Sequence, residues 1–144
     1  MSSSSTAAHR PRLAVTVVSK NASTAQRLEA YLRDAGVFSN GTRDVERLVE
    51  MTPPSAAAAV VFPDEFDPEA VEAALRTARK QRPDLLLVVV TNEPRRFDKL
   101  QRGSAEEEDG LLVMAKPAWA WTILDAIRAK LDAARGVPPD RPAK

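Results

Sequence analysis

The residues with chemical capacity fall in four short polar clusters. Each follows an apolar run: Ser19-Lys20-Asn21 after Leu13–Val18, Pro63-Asp64-Glu65 and Asp67-Pro68 after Ala58–Phe62, Thr91-Asn92-Glu93 after Leu85–Val90, and Lys116-Pro117 after Leu111–Met114. They offer carboxylates, hydroxyls and ammonium groups, and no thiol or imidazole. The chain has no cysteine, which excludes disulfides, thiol catalysis and thiolate metal sites. Its single histidine, His9, lies in a polar leader, so a multi-histidine metal site is excluded too. There is no Gly-x-Ser-x-Gly elbow, no P-loop and no histidine base in the region expected to fold, so hydrolase chemistry is disfavoured.

The elements that would position these clusters can be read from hydrophobic periodicity. Leu13–Val18, Ala58–Phe62, Leu85–Val90 and Leu111–Met114 read as strands, with Val37-Phe38 in a short additional one and Asn40-Gly41 as a turn signal. Between them, Ala25, Leu28, Leu32 and Ala35 fall at helical spacing, and Gly36 stops that helix. Val45, Leu48 and Val49 mark a second, short helix that ends near Pro53-Pro54. Asp67-Pro68-Glu69 opens a third, with Val71, Ala74, Leu75 and Ala78 on its apolar face. Pro94–Arg102 reads as a short fourth helix, and Ala120, Ile123, Leu124, Ile127 and Leu131 line a final one. The unbroken apolar run Leu85–Val90 suits a strand buried on both faces.

Alternation of strand and helix implies an α/β fold with a parallel sheet and right-handed crossovers. Five strands fit a flavodoxin-like doubly wound sheet of order 2-1-3-4-5, with helices on both faces. Chemistry in such sheets sits at the carboxyl ends of the strands, which is where all four polar clusters fall. Residues 12–134 are expected to form this domain, flanked by a disordered leader at 1–11 and a disordered tail or linker at 135–144.

Composition narrows the function. The 144 residues carry a formal net charge of +1, with 21 basic and 20 acidic side chains. That balance argues against a dedicated nucleic-acid binder. No apolar stretch approaches the ~20 residues that span a bilayer, and the Ser-rich N-terminus is not a secretory signal. A cytoplasmic protein without membrane or nucleic-acid partners is expected.

A strand followed by Asp, another by Thr and a last one by Lys-Pro resemble the receiver domain of bacterial response regulators. The resemblance runs from Leu13 to Leu131 and rests on topology and a few residues. It implies that Asp64 is the candidate phosphoacceptor, with Pro68 four residues later as is common in that family. It implies that Thr91 and Lys116 contact the phosphoryl group, the lysine as a compact cation and Pro117 as the family's following proline. A one-residue slip would place Pro63, which can accept nothing, at the acceptor position.

The departures are informative. The family's acidic pair, which holds Mg²⁺, is replaced by Ser19 and Lys20. Asn92 follows Thr91 where a small residue is usual and is expected to crowd the pocket formed with Ser19, Lys20 and Pro117. Val113 stands where an aromatic switch residue usually sits. The expectation is an atypical receiver-like signalling domain, not an enzyme, with neither metal nor cofactor, acting by protein–protein contact. A phosphoacceptor regulator using Asp64 is the alternative. A flavodoxin-like FMN binder, using the hydroxyl-rich loop Ser19–Thr24, is a remote third.

The resemblance implies as partner another signalling protein, such as a histidine kinase or an output protein, or a second copy bound through the face of fourth helix, fifth strand and last helix. Candidate contacts there are the basic residues Arg95, Arg96, Lys99 and Arg102, followed by the acidic run Glu106–Asp109. Trp119 and Trp121 are candidate aromatic anchors.

Overall fold

The computed structural model describes residues 13–98 and 110–134. In chain order they form β1 (Ala14–Val18), α1 (Ala22–Asp34), β2 (Phe38–Thr42), a 3-10 turn at Val45–Arg47 running into α2 (Leu48–Met51), and β3 (Ala58–Val61). A second 3-10 turn, Pro63–Glu65, leads to α3 (Pro68–Gln81) and β4 (Leu86–Thr91). A third, Pro94–Phe97, precedes β5 (Leu111–Ala115) and α4 (Ala120–Ala134). The five strands are parallel, in the order β2-β1-β3-β4-β5. This is the doubly wound arrangement expected from the alternation of elements.

The sheet is buried on both faces because its central strands are apolar throughout except for Thr16 of β1 and Thr91 at the end of β4. Ala59 and Val61 of β3 pack with Leu87 and Val89 of β4 against Leu48, Val71 and Leu75 of α2 and α3. Their neighbours Ala58, Val60, Val88 and Val90 point the other way, against Leu28 and Leu32 of α1 and Ile123, Leu124 and Ile127 of α4. Period-2 geometry thus divides one apolar run between two cores.

Local chemistry sets the helix ends. Asn21 accepts the Thr24 N–H at 3.1 Å and caps α1. Gly36 follows that helix at φ 82°, a conformation that costs a glycine little. Asp67 caps α3 by accepting the Ala70 N–H at 3.2 Å, with Pro68 in first position. Among the described residues, no helix is long and apolar enough to cross a membrane.

Asn40-Gly41 is not a turn. Both residues lie inside β2, where Asn40 pairs with Thr16 and Gly41 with Val17. Asn40 earns its place by bridging. Its Oδ1 accepts the hydroxyl of the fully buried Thr16 at 2.8 Å, and its Nδ2 donates to the Met51 carbonyl, at the end of α2, at 2.7 Å. Gly41 is required by close approach: a Cβ there would lie 2.8 Å from the Val17 carbonyl oxygen. Of the expected fourth helix, the described part is the 3-10 turn Pro94–Phe97; Lys99, Arg102 and the acidic run Glu106–Asp109 lie outside the described residues.

Candidate functional site

The carboxyl ends of β3, β4 and β5 converge on Asp64. β4 delivers Thr91 as its last residue, fully buried. The pairing of β5 with β4 sets Ala115 opposite Thr91, and the Lys116 N–H extends it by donating to the Thr91 carbonyl at 3.0 Å. Lys116 is joined to Pro117 by a cis peptide bond. Asp64 comes from the 3-10 turn after β3 and not from the strand itself. Val61 pairs with Val89, so the same register carried two residues further sets Pro63 level with Thr91. The carboxylate is therefore supplied by the next residue, swung inward by the turn.

Both oxygens of that carboxylate are engaged. Oδ1 accepts the Thr91 hydroxyl at 2.5 Å. Oδ2 accepts the Asn92 N–H at 2.8 Å and pairs with the Lys116 ammonium at 3.1 Å. Thr91 Oγ1 also accepts the Glu93 N–H at 3.0 Å, which directs its single proton to Asp64. The Asp64 side chain is 17% exposed and that of Lys116 30%. Burial pushes the Asp64 carboxyl upward, but it is outweighed by the hydrogen bonds from Thr91, Asn92 and Lys116 and by the lysine's charge. The group is held below the usual carboxylate range and is ionised at neutral pH.

Beside this cluster lies an open cavity of about 260 Å³ whose walls include Ser19, Asn21, Thr24, Glu65, Lys116 and Pro117. Ser19 is 1% exposed and turned back on its own loop, donating to the Asn21 carbonyl and accepting the Asn21 N–H, both at 3.1 Å. Two expected pocket residues stand elsewhere. Lys20 is exposed and outside the cavity wall; among the described residues it forms no ion pair, and the cation at Asp64 is Lys116. Asn92 does not crowd the pocket. Its side chain is exposed and its contribution is the backbone N–H, which residue type alone could not disclose.

The residues present do not suit Mg²⁺. That ion requires several oxygen ligands, usually including carboxylates. Ser19 is satisfied locally, Lys20 is a cation, and the Asp64 oxygens already hold three donors. Among the described residues, no group of three or more His, Cys, Asp or Glu side chains is arranged to hold a metal.

The other surface candidates are distributed unevenly. Trp119 and Trp121, at the start of α4, are 65% and 56% exposed. Arg95 and Arg96 are exposed; Arg96 pairs with Glu93 at 3.7 Å and lies over the Phe97 ring at 5.2 Å. Val113 is half-buried and packs against the core shared by α2 and α3, which leaves no aromatic ring at that place. The cavity-lining Phe62, Val90 and Ala118 have no chemical signature, and only the fold could assign them to the site.

No protein-family model matches the chain, and comparison with curated proteins finds no match. Solved structures do match over nearly their whole length. A signal receiver domain of an HD domain-containing protein from Pseudomonas fluorescens Pf-5 superposes with a TM-score of 0.67 at 18% identity, covering 88% of this chain and 99% of that one. A sensor protein from Polaromonas sp. JS666 gives 0.65 at 20% identity, covering 85% and 98%. A response regulator receiver domain protein from Clostridium thermocellum gives 0.63 at 15% identity, covering 85% and 97%. With its 2-1-3-4-5 sheet and the Asp, Thr and Lys-Pro cluster at the carboxyl edge, the chain has the fold of the response regulator receiver domains.

Proposed function

We propose that the chain is a receiver-like signalling module that works through protein–protein contact, is not an enzyme, and takes no part in Mg²⁺-dependent phosphoryl transfer. One observation carries this reading. The Asp64 carboxylate, the candidate phosphoacceptor, has three donors at hydrogen-bonding distance on its two oxygens. A carboxylate has roughly four acceptor positions, so little of its nucleophilic capacity is left. The loop after β1 adds no acidic ligand that would draw a metal to the same place.

The neighbours give this context. One is the receiver domain of an HD domain-containing protein and another is a sensor protein. The first is one domain of a protein that also carries an HD domain, and the proposed role for this chain is likewise to pass a signal to a partner. The exposed indoles of Trp119 and Trp121, with Arg95 and Arg96, are the proposed contact residues.

A second reading is favoured by the convergence itself: Asp64, Thr91 and Lys116 do meet, as a phosphoacceptor site requires. The two readings separate in one experiment. The protein is incubated with acetyl phosphate and Mg²⁺ and weighed intact. The proposed function predicts an unchanged mass. A gain of one phosphoryl group that disappears in Asp64→Asn would establish the second reading instead.

A further inference from the structure

β2 lies at one edge of the sheet, and its main chain is used on one side only. The Phe38 N–H donates to the Leu13 carbonyl at 2.9 Å, and the Thr42 carbonyl accepts the Ser19 N–H at 3.2 Å. Alternate residues of a strand turn their main-chain groups the same way, so Phe38, Asn40 and Thr42 face β1. The N–H and C=O groups of Ser39 and Gly41 point away from the sheet, and among the described residues nothing bonds to them. The strand carries neither the charge nor the proline that commonly blunts such an edge.

The flank of α1 above this edge is charged in a definite order. Glu29 reaches over Gly41: a Cβ on that glycine would lie 2.7 Å from Glu29 Oε2. Arg33 follows one turn later on the same flank and is exposed. Because α1 joins two parallel strands, it runs antiparallel to them. A helical step from i to i+4 advances about 6 Å, and two strand residues advance about 6.6 Å. Arg33 is therefore level with Ser39, as Glu29 is level with Gly41. Among the described residues, neither charge has an ion-pair partner.

We propose that the β2 edge binds a second copy of this chain, antiparallel, about a twofold axis at Asn40. In that register Ser39 of each copy exchanges both main-chain bonds with Gly41 of the other. The Ser39 side chain then meets a glycine, which leaves it room on the face that α1 covers. On the opposite face Phe38, 57% exposed, stands across from Thr42 of the second copy, a favourable pairing of an aromatic with a β-branched side chain. The same twofold sets the two α1 helices antiparallel. Glu29 of each copy comes level with Arg33 of the other, and both charges gain a partner. This charge order matches a reversed copy of itself, which is what argues for a second copy and against an unrelated strand. The surface shares no residue with the Asp64 site or with Trp119, Trp121, Arg95 and Arg96. A dimer built at β2 therefore carries two copies of the proposed contact surface, whether or not Asp64 accepts a phosphoryl group.

The test is the mass of the full chain in solution. Sedimentation over a concentration series should show the 15.7 kDa chain passing reversibly into a dimer. The Ser39 and Gly41 amides should gain hydrogen-exchange protection as the dimer forms, which separates this edge from any other contact face. Ser39→Pro removes an outward N–H and no bond to β1, so it should abolish the dimer and leave a folded monomer. Arg33→Glu sets like charges against each other and should weaken association roughly tenfold. Arg33→Glu combined with Glu29→Arg should restore it. A chain that stays monomeric at every concentration overturns the proposal. So does a dimer that survives Ser39→Pro or is indifferent to Arg33→Glu. If Ser39→Pro does not fold, the charge reversal decides: weakening with rescue supports the pairing, and weakening without rescue counts against it. The acetyl phosphate experiment is independent of all these outcomes.

Discussion

Thr91 gives its hydroxyl proton to Asp64 at 2.5 Å while its oxygen accepts the Glu93 N–H at 3.0 Å. The hydroxyl thus links the turn after β3 to the loop after β4. A valine of the same shape at position 91 would leave Asp64 Oδ1 and the Glu93 amide without this partner. Thr91→Val is expected to cost about 1–3 kcal/mol. Thr91→Ser, which keeps the hydroxyl and loses one buried methyl, should cost about 1 kcal/mol. Urea denaturation of the two variants decides the order; a valine variant as stable as the serine one would show that the hydroxyl contributes nothing.

Asp64 also makes stability depend on pH. Its folded-state pKa lies below the unfolded value because the donors and the Lys116 charge outweigh burial. A depressed carboxyl contributes stability above the unfolded value of ~3.9 and loses it as pH falls through the folded one. The stability gap between the unaltered protein and Asp64→Asn should be flat at neutral pH and should narrow once pH falls below ~4. Urea midpoints measured across that range would reveal a gap that widens on acidification, contrary to this assignment.

Arg82 closes the amino-terminal edge of the sheet. Its guanidinium donates to the carbonyls of Thr52, Pro53, Pro54 and Ala56 at 3.2–3.4 Å. Arg82→Ala removes a donor from four carbonyls, of which Pro53 keeps the Ala56 N–H, and should cost about 2 kcal/mol or more. Arg82→Lys should recover less than half of that loss, since a single ammonium cannot span what a planar fork reaches. Chemical denaturation of both variants is the check, and full recovery by lysine would refute the geometric argument.

Gly41→Ala should destabilise by about 1–3 kcal/mol, because its Cβ would meet the Val17 carbonyl 2.8 Å away. The other close atom belongs to the flexible Glu29 side chain, at 2.7 Å. Adding Glu29→Ala should therefore not rescue the variant. Rescue in the thermal melt would mean that the side chain, and not the strand backbone, is the obstacle.

Trp119→Ala and Trp121→Ala should each change stability by less than about 0.5 kcal/mol, since both rings lie mostly outside the core. Their fluorescence in the free protein should be accessible to acrylamide. A cooperative loss of stability on either substitution would place that indole in the fold and remove it from the proposed contact surface.

Much of the architecture follows from the order of residues alone. Apolar runs too short for helices, separated by segments of helical period, specify alternating elements and hence a parallel sheet. Asp67-Pro68 and Gly36 mark helix ends because capping and positive φ are local requirements. Asp64, Thr91 and Lys116 could be singled out because parallel topology brings the carboxyl ends of strands together. Their contacts could not. Asn40-Gly41 has the composition of a turn, and only the pairing with β1 shows that a glycine is needed beside the Val17 carbonyl. Asn92 was legible as a bulky side chain, whereas its role belongs to the backbone amide, which carries no residue identity. Whether Lys20 or Lys116 meets Asp64 is likewise a matter of direction in space: Lys20 is exposed, while β5 aims Lys116 at the carboxylate. The sequence determined which groups reach the sheet edge. The tertiary structure decided that they satisfy one another, because hydrogen-bond donors and acceptors brought within 3 Å or so in a partly buried place pair before they wait for a ligand.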